Sequence, residues 1–155
     1  MEGITIRPAG MADYDAVEAI MRQIHALHTA LRPDLFAPCE PVFPQTYFVE
    51  AVLNELLFVA EHDGKIAGLM ECVIRHSERQ GRVTRDVLYV ETLAVTESMR
   101  GQGVGTCLMD YARQLATTRG YVAVELQVNA RNAKARAFYE KLGFSEKSIN
   151  LEMRV

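Results

Sequence analysis

The sequence VETLAVTESMRGQGVGT, at Val90–Thr106, joins an apolar run, a short polar turn and a loop with glycine at every second position. The loop opens onto an amphipathic helix predicted at residues 104–119. Glycines let a backbone approach a ligand closely, and the first N–H groups of a helix have no partners within it. The combination predicts a binding site for phosphate at the start of this helix.

Two established kinds of phosphate-binding loop do not match these residues. A P-loop places lysine and then serine or threonine after its last glycine, whereas this chain continues from Gly103 as Val-Gly-Thr. A dinucleotide fingerprint spaces its glycines by two and then three residues, whereas Gly101, Gly103 and Gly105 are spaced by two and two. Taken alone, the loop is equally consistent with an ordinary tight turn.

The composition is that of a globular protein, with 49% hydrophobic and 24% charged residues among 155. This length predicts one domain over residues 1–155. The formal charge of −3 argues against a general nucleic-acid-binding protein, which usually carries a basic patch. No apolar run approaches the roughly 20 residues of a membrane span, and no charged-then-apolar signal is present. We therefore expect a cytoplasmic protein with neither nucleic acid nor membrane as partner.

The three cysteines, Cys39, Cys72 and Cys107, are odd in number and share no metal-ligand spacing. Such a pattern is typical of buried free thiols. The four histidines also lack the spacing of a metal site. We expect no metal.

Hydrophobic periodicity predicts a single mixed α/β domain. Residues 122–128 are mostly apolar, which predicts a buried strand paired on both sides. Residues 149–155 alternate, which predicts a terminal strand. Prolines between residues 33 and 44 predict an irregular loop that packs on the domain as a wall of a substrate pocket. The remaining strands are predicted at 4–8, 56–61, 66–75 and 86–95, and the helices at 14–31, 45–54, 104–119 and 132–142.

Four short motifs occur together around and after the glycine loop. Glu-x-Leu-x-Val at residues 91–95 precedes Arg-x-x-Gly-x-Gly at 100–105, and Asn-x-x-Ala-x-x-Phe-Tyr at 132–139 is followed by Leu-Gly-Phe at 142–144. In this order they resemble the GNAT superfamily of N-acetyltransferases, closely over 86–144. The resemblance implies the GNAT fold, an α/β (α+β) domain. Its central mixed, mostly antiparallel sheet is splayed between the fourth and fifth strands and has helices on both faces.

The resemblance also implies acetyl-CoA as the acetyl donor, without a metal. In the family the pyrophosphate lies on the loop amides at the positive end of the helix dipole. The pantetheine arm pairs with the preceding strand as a peptide pairs with a sheet edge. Arg100 lies at the edge of the phosphate site or in solvent, and Asn132 hydrogen-bonds the cofactor or caps the last helix. The implied cofactor-binding residues are Leu93, Ala94, Val95, Arg100, Gly101, Gln102, Gly103, Val104, Gly105, Thr106 and Asn132.

Tyr139 is the candidate general acid. In the family a tyrosine at this position reaches the sulfur of the leaving coenzyme A, and a phenol is protonated at neutral pH. The alternative is that Tyr139, like Phe138, packs the last helix against the sheet.

Glu91 is the candidate general base, acting through a water molecule on the incoming ammonium. It lies two residues before Leu93 and therefore on the same face of the strand. The alternative is a surface glutamate that pairs with Arg75 or Arg85. Other candidates for the base are Glu71 and Glu125.

The acceptor is a primary amine of a small molecule or of a protein. His28 and Phe36 lie in or beside a segment, RPDLF at 32–36, that resembles one found in many uncharacterised family members, so they are candidates for its pocket. The alternative for His28 is a half-buried position on a helix face. A rival function is a module that binds acetyl-CoA without turnover, although the presence of both Glu91 and Tyr139 favours the enzyme. Many relatives are homodimers, so the apolar terminal strand is a candidate interface.

Overall fold

The computed structural model describes residues 3–155, and its centre is a five-stranded sheet in the order β1-β2-β3-β4-β5. β1 to β4 are antiparallel to one another, whereas β5 is parallel to β4. The strands are β1 Ile4–Pro8, β2 Leu57–His62, β3 Lys65–Ser77, β4 Arg85–Val95 and β5 Ala123–Leu126. The helices are α1 Tyr14–Leu31, α2 Gln45–Leu53, α3 Val104–Thr118 and α4 Ala133–Lys141. The predicted helices and the first five strands are confirmed to within a few residues.

The two faces of the sheet carry separate hydrophobic clusters. On one face α1 and α2 bury Val17, Ile20 and Phe48 against residues such as Leu69 of β3. On the other face α3 buries its apolar side, including Leu108, against the sheet. Because alternate strand residues point to opposite faces, one strand contributes to both clusters. Helices therefore cover both faces of the sheet, as expected.

The sheet opens between β4 and β5. Their parallel pairing runs from Val87 and Ala123 to Val90 and Leu126, and β4 then continues to Val95 without β5 beside it. This opening confirms the mixed sheet splayed between its fourth and fifth strands. It leaves one edge of the last β4 residues without a neighbouring strand in the described chain.

Two strand predictions were wrong. β5 was expected to pair on both sides, but within residues 3–155 it pairs with β4 alone and is half-buried. The segment 149–155 was expected to form a strand, but it is irregular and exposed. The apolar run of β5 reflects the packing of its faces, as in the contact of Val124 and Leu126 with the α3 cluster, and carries no information about its edges. The alternation of 149–155 is present in the sequence, but among the described residues the segment pairs with no strand.

No helix within residues 3–155 has both the length and the apolar character needed to cross a membrane.

Candidate active site

The first turn of α3 presents backbone N–H groups that have no acceptor. The first bond of the helix runs from the Cys107 N–H to the Gly103 carbonyl, at 3.0 Å. Among the described residues, the preceding N–H groups of Gly103, Val104, Gly105 and Thr106 make no hydrogen bond. Gly103 caps the helix at a φ of 86°, in the left-handed region where glycine is favoured. The loop therefore aims several free donors outward at the positive end of a helix.

The glycine loop, the end of β4 and helix α4 meet closely at Gly105. A Cβ atom on Gly105 would lie 3.2 Å from the Phe138 ring and 3.8 Å from the Val95 side chain. A larger residue would push α4 away from α3. The candidate phosphate site and the helix that carries Tyr139 can therefore lie close together because residue 105 has no side chain.

Arg100 and Gln102 are folded back onto the strand end and the turn. Arg100 donates through Nε to the Val95 carbonyl at 3.2 Å, and Gln102 donates through Nε2 to the Ser98 carbonyl at 2.8 Å. Both side chains are exposed. Each lies beside the free amides, and Arg100 brings a positive charge to them.

A β-bulge on β4 brings two carboxylates to the α1 face of the sheet. In the β3–β4 register Glu71 pairs with Thr92 and Cys72 with Val90, which leaves Glu91 as the extra residue. Thr92 donates its hydroxyl to the Glu71 carboxylate at 3.2 Å. The Glu71 and Thr92 side chains lie on the α1 face because Leu69 and Ala94, two residues away, belong to that cluster.

Glu91 is exposed and makes an ion pair. The expectation that it shares a face with Leu93 was wrong, because the bulge turns Glu91 to the α1 face while Leu93 packs in the α3 cluster. Arg75 donates through Nη2 to the Glu91 carboxylate at 3.0 Å, and its guanidinium carbon lies 3.1 Å from the centre of the Tyr89 ring. This is the surface pairing left open by the sequence. The base role of Glu91 stays a prediction. An incoming cation can replace Arg75 in this ion pair at little cost, because exposed ion pairs are worth about 1 kcal/mol or less.

Glu71 has the environment of a base. Burial raises the pKa of its carboxyl group above the usual value, the hydrogen bond from Thr92 opposes this, and the negative charge of Glu91 adds to the rise. Glu125, the other candidate for the base, is engaged in ion pairs with two basic side chains. Its carboxylate pairs with Lys147 at 2.6 Å and with Arg85 at 3.3 Å.

Tyr139 lies in the cluster on the α3 face of the sheet. Its ring packs edge-on against Phe138 and Phe144, with centroid distances of 5.2 and 5.7 Å. Burial raises the pKa of its hydroxyl group to about 12, so the phenol is protonated at neutral pH. Packing and a role as proton donor are both compatible with this position.

Asn132 caps α4, which is the alternative that the sequence left open. Its Oδ1 accepts the Ala135 N–H at 3.1 Å. The amide nitrogen of the side chain has no partner among the residues that the structure describes, so it is available as a donor to a ligand.

His28 and Phe36 are brought together at the end of α1, with ring centroids 5.2 Å apart. Burial and the nearby His25 lower the pKa of His28, which keeps its imidazole neutral at pH 7. The proline-rich loop packs on the domain as predicted, because the buried Glu18 carboxylate accepts the N–H groups of Val42 and Phe43 at 3.0 and 2.7 Å. Whether this wall faces an acceptor stays a prediction.

The cysteines are only partly as expected. Cys72 is buried and Cys107 half-buried, but Cys39 is exposed, with its Sγ 3.6 Å from His25 Nε2. The prediction for Cys39 was wrong because the irregular loop packs through Phe43 and leaves Cys39 on its outer side. Over residues 3–155, no cluster of histidine, cysteine and acidic side chains is arranged to hold a metal.

Sequence reasoning did not single out Thr92, Tyr89 or Glu18. The partners of Glu71 and Glu91 depend on the bulge, whose position follows from the strand register and leaves no mark in the alternation of β4. Glu18 lies among apolar residues on the inner face of α1. This position in the sequence could have indicated a buried carboxylate that binds another segment of the chain.

Comparison with known proteins gives a consistent result. A model described as the acetyltransferase (GNAT) family matches residues 22–144. An uncharacterized N-acetyltransferase of Methanocaldococcus jannaschii is 36% identical over 92 residues, which are 59% of this chain and 40% of that protein. A mutant of a Bacillus halodurans protein has a solved structure with a TM-score of 0.90 at 28% identity, covering 97% of this chain and 99% of that one.

An aminoglycoside N-acetyltransferase solved in complex with CoA has a TM-score of 0.73 at 19% identity, covering 97% of this chain and 98% of that one. At this identity the likeness concerns the fold alone. The chain matches 40% to 62% of the length of the first three curated relatives.

Proposed function

The chain belongs to the acetyltransferase (GNAT) family, whose model spans residues 22–144, and on that premise we propose that it transfers an acetyl group from acetyl-CoA to a primary amine. One observation carries the proposal. The unpaired edge at the end of β4 leads directly to the free amides at the start of α3.

The donor site has the groups that acetyl-CoA needs. The pyrophosphate of the cofactor needs several N–H donors, and the first turn of α3 offers those of Gly103 to Thr106 beside the Arg100 charge. The amides of the pantetheine arm need an unpaired strand edge, and the backbone of Leu93, Ala94 and Val95 offers one. The Val95 carbonyl accepts a hydrogen bond from Arg100 Nε, so that bond must open for the arm to pair there. When bound, acetyl-CoA supplies the activated acetyl thioester.

The candidate proton-transfer groups lie on opposite faces of the sheet. Glu71 and Glu91 are on the α1 face, and Tyr139 is in the cluster on the α3 face. The gap between β4 and β5 connects the two sides. An amine that arrives from the α1 face attacks the thioester carbonyl carbon, a C–N bond forms, the C–S bond breaks, and the sulfur leaves toward Tyr139.

The amine must first lose a proton. An alkyl amine with a pKa near 10 is only about one part in a thousand neutral at pH 7, a deficit of about 4 kcal/mol. We assign Glu91, with a water molecule, to hold the incoming ammonium in place of Arg75. Burial raises the pKa of the Glu71 carboxyl group and strengthens it as a base, so the proton passes through that water to Glu71. The sequence alone favours Glu91 as the base. Separate substitutions of Glu71 and Glu91 distinguish the two possibilities.

Tyr139 completes the reaction as the proton donor to sulfur. Its raised pKa keeps the hydroxyl protonated throughout the neutral range. Within residues 3–155 its raised pKa comes from burial, with no hydrogen bond contributing, so the hydroxyl is available to donate. The balanced products are the N-acetylated amine, coenzyme A as a thiol, and one proton.

The direct test measures thiol release from acetyl-CoA with a panel of primary amines. We expect release with at least one cationic amine and none without an acceptor. Tight binding of acetyl-CoA with no release for any amine would favour the rival function of a binding module and would contradict the proposal.

The acid role is tested with Tyr139→Phe. We expect kcat to fall about 100-fold, because general acid catalysis contributes on this scale, while the affinity for acetyl-CoA changes little. The matched control is Tyr111→Phe, which removes a hydroxyl group from the same cluster, where Tyr111 packs on Phe58. Equal turnover in both variants would remove Tyr139 from the mechanism.

A further inference from the structure

Arg75 lies on the face of the sheet from which the acceptor is proposed to arrive. Cys72 packs in the α3 cluster, so Arg75, three residues further along β3, points to the opposite, α1 face. By the same alternation Tyr89 of β4 points to the α1 face, because its neighbours Leu88 and Val90 lie in the α3 cluster. Arg75 therefore shares this face with the two glutamates that are assigned to the amine.

The Arg75 guanidinium is held in place by an aromatic ring. Its carbon atom lies 3.1 Å from the centre of the Tyr89 ring, and Tyr89 is itself buried. Such a ring face attracts a cation. The hydrogen bond to Glu91, at 3.0 Å, uses Nη2, so the planar guanidinium has further N–H groups for a second acceptor. The Arg75 side chain is 50% exposed, so a ligand can reach these groups.

Two other basic side chains near this part of the sheet have a carboxylate of their own. Glu125 of β5 pairs with Lys147 at 2.6 Å and with Arg85 at 3.3 Å. These ion pairs do not involve Glu91, so an ammonium that arrives at Glu91 leaves them intact. Among residues 3–155, Arg75 is the basic side chain whose ion pair the acceptor replaces.

The proposed reaction changes the balance of charge around Arg75. When an incoming ammonium takes its place at Glu91, the guanidinium loses its carboxylate and gains a positive neighbour, while the Tyr89 ring keeps it nearby. Like charges at such short range repel each other. A carboxylate on the acceptor, close to the amine, would remove this repulsion, and a guanidinium matches a carboxylate in geometry as well as in charge.

We propose that the acceptor is an amino acid whose ammonium group binds Glu91 and whose free carboxylate binds Arg75. Glu91 and Arg75 are in direct contact, so the two groups that separate them must also be close together, as they are in an α-amino acid. The inference rests on the proposed acetyl transfer and narrows its acceptor to one chemical class. The products are the N-acetylated amino acid, coenzyme A as a thiol and one proton.

Thiol release with matched acceptors tests the inference. The panel pairs each common amino acid with its α-amide, which keeps the amine and the side chain but lacks the negative charge. We expect kcat/KM for at least one amino acid to exceed that for its amide about tenfold, because a hydrogen bond to a charged group contributes on this scale. An amine beside an amide is the easier to deprotonate, so this preference cannot come from the amount of free amine.

Arg75→Gln tests the same inference by the sign of two changes. The variant should lower kcat/KM for the preferred amino acid about tenfold, whereas the value for its amide should stay the same or rise, because Glu91 then has no competing partner. A merely structural role of Arg75 would lower both values alike. The control is Arg85→Gln, which removes an equal charge from the ion pair with Glu125 and should keep the preference for the amino acid.

The outcomes separate this inference from the acetyl transfer on which it rests. Equal rates for amino acids and their amides, or release only with amines that lack a carboxylate, would refute the inference and leave acetyl transfer in place. A preference for the amides would refute it in favour of a peptide N-terminus, which an amide resembles. A preference for the amino acid that persists in Arg75→Gln would also refute it. No release with any amine would contradict acetyl transfer itself, and the acceptor class would fall with it.

Discussion

At the scale of single residues, Glu71 on β3 and Glu91 on β4 differ in exposure because β4 has one extra residue at the bulge. Without the bulge, β4 would keep strict alternation, and consecutive side chains would face opposite sides of the sheet. The bulge leaves Glu91 exposed beside Arg75, whereas Glu71 is half-buried under Thr92. Burial raises the pKa of Glu71 and strengthens it as a base, and exposure makes Glu91 the carboxylate that meets a cation first.

Glu71→Gln is expected to lower kcat/KM about 100-fold at pH 8, the scale of general base catalysis. Because the pKa of Glu71 is raised, the wild-type pH profile should have an acidic limb above the usual glutamate value of 4.5, and the variant should lose that limb. The measurement is kcat/KM as a function of pH. Glu91→Gln should keep the limb and mainly raise KM, roughly fivefold, as expected for an exposed contact worth about 1 kcal/mol.

Glu71→Gln is also expected to change the stability of the fold, and here the substitution is favourable although it lowers activity. A carboxyl group with a raised pKa binds its proton more tightly in the folded state, so its stabilising effect is full below pH 4.5 and is lost as the pH rises through the folded pKa. Glu71→Gln keeps an acceptor for Thr92 and removes the buried charge. It should melt at a higher temperature than wild type at pH 8 and at the same temperature at pH 4. A lower melting temperature at pH 8 would contradict the burial argument.

At the scale of elements, Gly105 lets helix α4 pack closely against the start of α3, which with the end of β4 forms the proposed acetyl-CoA site. A Cβ at this position would meet the Phe138 ring at 3.2 Å, closer than most side chains tolerate. Phe138 is followed by Tyr139, so a shift of α4 moves the candidate acid as well as the wall of the phosphate site.

Gly105→Ala should therefore weaken acetyl-CoA binding about tenfold and reduce kcat further, because it displaces α4 by a few tenths of an ångström and disturbs alignment at the sulfur. Calorimetric binding and steady-state kinetics measure the two effects. The control is Gly10→Ala, where the new Cβ would meet nothing closer than 3.8 Å. Equal affinity and turnover in both variants would show that the contact with Phe138 is not needed.

The helices and strands also show which features of the fold can be predicted from the sequence and which cannot. The bounds of α1 and α3 follow from local signals, namely apolar spacing, the proline after α1 and the glycines before α3. The bulge at Glu91 and the open edge of β5 depend on which strands meet, and strand pairing over long separations has no local signal. For the same reason the sequence named Arg75 only as one of two possible partners of Glu91, and it did not predict the contact of Thr92 with Glu71.

At the scale of the whole molecule, the sheet is weakest where the ligand is proposed to bind. β4 and β5 share a short parallel pairing, and beyond Val90 the strands separate. α4 follows β5 and contacts the rest of the domain through Phe138 and the α3 cluster. A cofactor in the gap would join β4, the start of α3 and α4, which are otherwise linked by few contacts.

Acetyl-CoA is therefore expected to raise the melting temperature. A ligand that binds only the folded state at 100 times its Kd adds about 2.7 kcal/mol of stability, which for a chain of this size is an increase of roughly 5–10 °C. Thermal unfolding with acetyl-CoA, with coenzyme A and with adenosine alone measures it. The first two should act alike, because both carry the pyrophosphate and pantetheine, and adenosine should have little effect. The increase should shrink in Gly105→Ala and persist in Tyr139→Phe. An equal shift with adenosine would mean that the α3 amides and the β4 edge are not the binding groups.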